Sequence, residues 1–167
     1  MADAGREEFL AEVAEAREVA SLRAQIRARR GDECVVLELR RSRSNPLDDP
    51  RPALDALVAQ LGFRPLGEHW REIDPKIAAS LGAAVLSQAL AFEHQILPAE
   101  VAVELADRFF RLFTEPRRCF TNAAEAAWPL ERGLAAAWDP ITARTYDTGV
   151  ALVSSDQIGL LWAQEDD

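Results

Sequence analysis

Few residues in this chain are of a type that could do chemistry, and they lie far apart. His69 and His94 are the only histidines, and each follows a glutamate, Glu68 and Glu93. Imidazole and carboxylate together suit zinc or iron, so His69, Glu72, Glu93 and His94 make one conceivable ligand set. Adjacent residues of a helix point about 100° apart, so Glu93 and His94 do not readily share an ion. Both histidines therefore read as surface or helix-packing side chains, and no metal is expected. Cys119 stands in "RRCFTN" beside Arg117 and Arg118, cations of the kind that lower a thiol pKa. With no histidine nearby in sequence to act as base, it reads as a half-buried strand cysteine. No nucleophile elbow, phosphate-cradling glycine loop or dinucleotide fingerprint occurs, so no cofactor is expected.

Asp147, in "TYDTG", falls within an expected strand. A carboxylate there is costly if it is buried and unpaired. Three readings stay open: a strand-entry residue hydrogen-bonded nearby, an acid/base group beside Tyr146, or a partner contact. No second carboxylate can be assigned to it, so a glycosidase-type pair is unsupported. Four tryptophans, Trp70, Trp128, Trp138 and Trp162, fall outside the expected long helices. Trp162 alternates with Ile158 and Leu160 and belongs to the core. Trp128 and Trp138 flank "WPLERGLAAAW", either as staples for that loop or as the rim of a binding surface. Glu165, Asp166 and Asp167 follow the last apolar strand directly, which holds a charge cluster in a fixed place. The candidate partner-binding residues are thus Trp128, Trp138, Tyr146, Asp147, Glu165, Asp166 and Asp167.

The elements that must position these residues can be read from periodicity and punctuation. Residues 5–30 form a helix in which Phe9, Val13, Ala16 and Ala20 share one stripe and Val19, Leu22 and Ile26 continue it on a neighbouring face. "ECVVLEL" follows as a strand, completing a helix–strand segment over 1–44. Residues 40–50 read as an exposed loop, and its three arginines as a solvated linker. Residues 51–113 are helical: a helix over 51–61, a long one over 74–96 opened by Asp74 and Pro75, and one after Pro98. The last two are expected to form a central helical hairpin, and the alanines and glycine of the 74–96 helix to admit close contact. Residues 119–167 read as β-rich and end in a hairpin around "SSDQ". The expected fold is one α+β domain over 1–167, a small, mostly antiparallel sheet packed on about four helices.

The 167 residues carry a formal net charge of −9. Residues 1–44 balance nine acidic against nine basic side chains, so the whole surplus lies in 45–167. Such a surface repels nucleic acid and anionic membranes and attracts basic partners. Apolar runs are too short for a membrane span, and the acidic start lacks an export signal's apolar stretch. A cytoplasmic location with free Cys34 and Cys119 is expected. Arginine supplies eighteen of nineteen basic residues, the mark of a GC-rich, bacterial genome. In general look the chain is similar to acidic α+β proteins encoded beside bacterial toxins. This similarity implies a non-catalytic immunity (antitoxin-type) protein that neutralises a basic toxin. Two alternatives are an enzyme or small-ligand domain with a pocket between helical hairpin and sheet, and a subunit of a larger assembly that uses the 74–96 helix.

Overall fold

The computed structural model describes residues 2–91, 94–122 and 139–166. Its elements, in chain order, are α1 (Ala2–Arg30), β1 (Val35–Arg41), α2 (Pro50–Gln60), β2 (Arg71–Ile73), α3 (Pro75–Ser87), α4 (Ala99–Phe110), β3 (Arg118–Thr121), β4 (Tyr146–Val153) and β5 (Gln157–Glu165). The strands form one antiparallel sheet in the order β1-β5-β4-β3-β2. Among the described residues the fold is α+β, with four α-helices and a C-terminal hairpin, as expected.

Helix ends follow local chemistry. Arg27, Arg29 and Arg30 occupy the last turn of α1, where the helix dipole favours cations. Gly31 then takes φ of 88°, the left-handed turn that ends a helix without a Cβ penalty. Asp74 caps α3 by accepting the Lys76 amide at 2.8 Å, with Pro75 in the first turn.

The C-terminus of α3 departs from expectation. The helix stops at Ser87 rather than running to residue 96. Gln88 turns extended and forms an isolated bridge with Gln95. The Leu90 and Ala91 amides donate to the Glu165 carboxylate at 2.8 and 3.2 Å. A carboxylate from the far end of the chain thus takes donors a longer helix would have used. The α3–α4 connection is accordingly longer than the short one expected.

Helices α1, α3 and α4 cover one face of the sheet, packing Leu22, Ile26, Leu81, Val85, Leu105 and Phe109 against Leu37, Val150, Leu152 and Leu161. On the other face α2 and the segment after it bring Leu54, Val58, Leu66 and Trp70 onto Phe120, Ala151, Leu160 and Trp162. Both faces of β4 and β5 are buried, so apolar residues run on consecutive positions there instead of only alternating. Removing each fully buried Leu or Trp from water contributes about 1.5–3 kcal/mol or more. The small-residue face of α3 is spent inside the chain. A Cβ on Gly82 would lie 3.2 Å from the Phe110 ring and 3.6 Å from Ala106, so α4 has already taken the close approach that an assembly contact would need.

Candidate interaction surface

The hairpin brings Glu165 and Asp166 to one end of the sheet, but the two carboxylates do different work. Glu165 faces inward. Its Oε1 accepts from the Arg30 guanidinium at 2.7 Å, and its Oε2 takes the Leu90 and Ala91 amides. The Arg30 side chain is wholly buried and also donates to the Gln88 carbonyl at 3.1 Å. Its Nε is one of four buried side-chain atoms without a hydrogen-bond partner among the described residues. Glu165 is therefore a staple between the end of α1 and the segment after α3, and its charge is internally neutralised.

Asp166 faces outward. Arg144 donates to it at 2.6 Å, and the Thr145 amide adds 3.0 Å. The Arg144 hydrogen bond, helped by that amide, holds the Asp166 carboxyl below its ordinary value. The same guanidinium reaches Glu33 at 2.9 Å, while Gln164 donates to the Glu33 carbonyl. Glu33 and Asp166 keep 80% and 49% of their side-chain surface in water. Asp32 beside them is exposed as well. Two carboxylates thus hold one arginine, while Asp32 lines a cavity together with Arg144, Arg23 and Arg27. Two shallow cavities of about 270 and 310 Å³ meet at Glu33, Arg144 and Gln164. Composition could not single out Asp32, Glu33 or Arg144, because the pairing joins residues far apart in sequence.

Asp147 lies in the interior and does not reach a surface, which corrects its expected place among partner contacts. Its Oδ1 accepts from Asn122 at 3.1 Å, the Ile141 amide at 3.2 Å and the Trp162 indole at 3.1 Å. Its Oδ2 accepts the Thr142 amide and hydroxyl, both at 2.8 Å. The cause is register. Asp147 points to the same face of the sheet as Gly149, Ala151 and Trp162, the face that α2 covers. Neutral donors fill both oxygens, as the reading of a hydrogen-bonded strand-entry residue requires. Asp55 repeats the device on α2, accepting the Trp70 indole at 2.8 Å and the Leu66 amide at 2.9 Å. The two indoles meet edge to face at 6.0 Å.

Tyr146 is half-buried and packs against the helix-side core. Trp128, Trp138 and Asp167 lie outside the described residues. Of the conceivable metal set, His69 bonds Asp139 at 2.8 Å and Glu72 is held by Arg118 at 2.6 and 2.7 Å, while Glu93 lies outside the described residues. Among the described residues no group of three or more His, Cys, Asp or Glu is placed to hold a metal ion. Burial pushes the Cys119 thiol up to about 11, and the opposing pull of Arg117 is the smaller influence. Tight contacts at Gly82, including Leu161 of β5 at 3.7 Å, fill part of the space between helical hairpin and sheet. Among the described residues no helix is long and apolar enough to cross a membrane. Comparison with known protein families, with curated proteins and with solved structures gives no match.

Proposed function

We propose that this chain is a non-catalytic binding protein for a basic protein surface, an immunity (antitoxin-type) protein that neutralises a basic toxin such as a nuclease. One observation carries the reading: Arg144 braces Glu33 and Asp166 while both stay largely in water. A braced carboxylate has already lost most of its rotamer freedom, so little further entropy is lost when a cation arrives. Two carboxylates share one guanidinium, so the braced group keeps a negative charge, and the surplus of −9 over the whole chain adds a steering field. That field reaches about 8 Å at physiological salt.

The test is stopped-flow association with the catalytic domain of a basic nuclease encoded beside this chain, with nuclease activity read in parallel. Expected are stoichiometric inhibition, an on-rate that falls steeply with salt, and an on-rate about tenfold lower for Glu33→Gln/Asp166→Asn. Full nuclease activity in the presence of excess protein sinks the proposal. So does a double variant that associates as fast as the parent.

A further inference from the structure

Arg40, Arg41 and Arg43 read from sequence as part of a solvated linker, but the structure sets them around a cavity. β1 runs to Arg41 and pairs Arg40 with Ile158 of β5, on the face that α2 covers. From α2 come Ala53, Ala56 and Leu57, three positions of one helical stripe. Alanine at two of them leaves a space of about 350 Å³ between the strand end and the helix. Leu57 and Ile158 are buried and make its floor, whereas Arg40, Arg43 and Ser44 are exposed and make its rim.

The charge around this space runs against that of the chain. Although the sequence holds 28 acidic against 19 basic side chains, no aspartate or glutamate lines the cavity among the described residues. Asp48 and Asp49, further along the same loop, do not line it either. Arg41 is neutralised by Glu15 at 2.7 Å and by Asp156. Arg40 is not: its one carboxylate contact, Glu38 at 3.2 Å, accepts no hydrogen bond at that oxygen and also serves Arg23. The Arg43 side chain has no ion pair and no hydrogen bond among the described residues. Two guanidinium forks with unmet donors thus share one cavity, with the Ser44 hydroxyl beside them.

We propose that this cavity binds a small phosphate monoester that carries an apolar body. Two guanidinium forks and a hydroxyl match the three terminal oxygens and double charge of a phosphate monoester. A carboxylate, with two oxygens and a single charge, leaves part of that donor set unused. The space is larger than a phosphate group fills, and its alanines and apolar floor take an aromatic or aliphatic body. The surplus negative charge elsewhere on the chain slows the approach of an anion, but it is screened beyond about 8 Å at physiological salt. The proposal stands apart from the basic-toxin reading, because no residue of this cavity belongs to the Arg144 surface.

Calorimetric titration of the full chain with phenyl phosphate tests it. Expected is binding at one site with a Kd of roughly 0.1–1 mM, about tenfold tighter than for inorganic phosphate, which lacks the body, or benzoate, which lacks the third oxygen. Affinity should fall as pH is lowered through about 6, where the monoester loses its second charge. Arg40→Gln/Arg43→Gln and Ala56→Glu should each weaken binding about tenfold or more. The melting temperature should not change, since all three side chains are exposed. No binding of phenyl phosphate at roughly 10 mM overturns the proposal. Either variant binding it as well as the parent does overturns it too, and so does benzoate or inorganic phosphate bound as tightly.

Discussion

Replacing Asp147 by alanine removes one carboxylate and leaves several donors to be accounted for. Asn122 keeps two other acceptors, the carbonyls of Asp139 and Asp147, at 2.9 and 3.1 Å. Thr142 is half-buried, so water can replace what it loses. Two buried donors have no other recorded acceptor, the Trp162 indole and the Ile141 amide. Each buried unmet donor costs about 1–3 kcal/mol, so Asp147→Ala should cost about 2–6 kcal/mol. That is a large part of the 5–15 kcal/mol typical of a domain. With a urea slope near 2 kcal/mol/M, the midpoint should fall by about 1–3 M. Urea unfolding followed by tryptophan fluorescence reads this directly. Asp147→Asn should be milder, about 1–3 kcal/mol, because its oxygen can still serve the indole and the Ile141 amide. A shift below about 0.3 M for alanine at unchanged slope, or asparagine as harmful as alanine, would refute the reasoning. Asp147 would then be kept for something other than holding the chain together.

Gly149→Ala should destabilise by about 3 kcal/mol in thermal melts, since its Cβ would run into the Leu161 carbonyl and sit 2.7 Å from Trp162 Cα. Acid should weaken the fold through Glu18 and Glu72, whose carboxyls are held below the usual 4.5 by hydrogen bonds from Arg108 and Arg118. A lowered folded-state pKa contributes stability in full above the unfolded value and loses it as pH falls below that value. Stability should therefore drop as pH falls below about 4.5, and Arg108→Gln/Arg118→Gln should flatten that dependence in urea titrations run across the range. At pH 8 a thiol reagent should label Cys34 in the folded chain and reach Cys119 only after denaturation, because the Cys119 thiol is buried and pushed up to about 11.

The hairpin could be read in advance because its cause is local: the alternation of Ile158, Leu160 and Trp162 and the turn after Val153 need no knowledge of the rest. The end of α3 could not. Alanine-rich sequence favours continuing the helix, and what stops it is tied to Glu165, whose position depends on the whole sheet. Strand β2 was missed for a related reason. Three residues carry no period, and Arg71–Ile73 is a strand only because β3 pairs with it. At the candidate surface, the acidic residues were visible but not their division of labour. Nothing in "AQEDD" says that Glu165 turns in to Arg30 while Asp166 turns out to Arg144. On α1 the sequence shows an apolar stripe from Phe9 that Val19, Leu22 and Ile26 continue on a neighbouring face, and periodicity alone does not rank the two. The structure buries the face of Val19, Leu22 and Ile26, the positions that meet β1 and α4.

In space β5 lies between β1 and β4, although it is the last strand in the chain. Val35 must wait for Ala163 before it has a neighbour. During synthesis the β1 backbone stays unsatisfied until β5, more than a hundred residues further on, has also been made, which makes for slow folding and a long interval in which a bare apolar strand is open to wrong pairings. Such wiring should show in a cell as chaperone dependence and as poor yield at high expression rates.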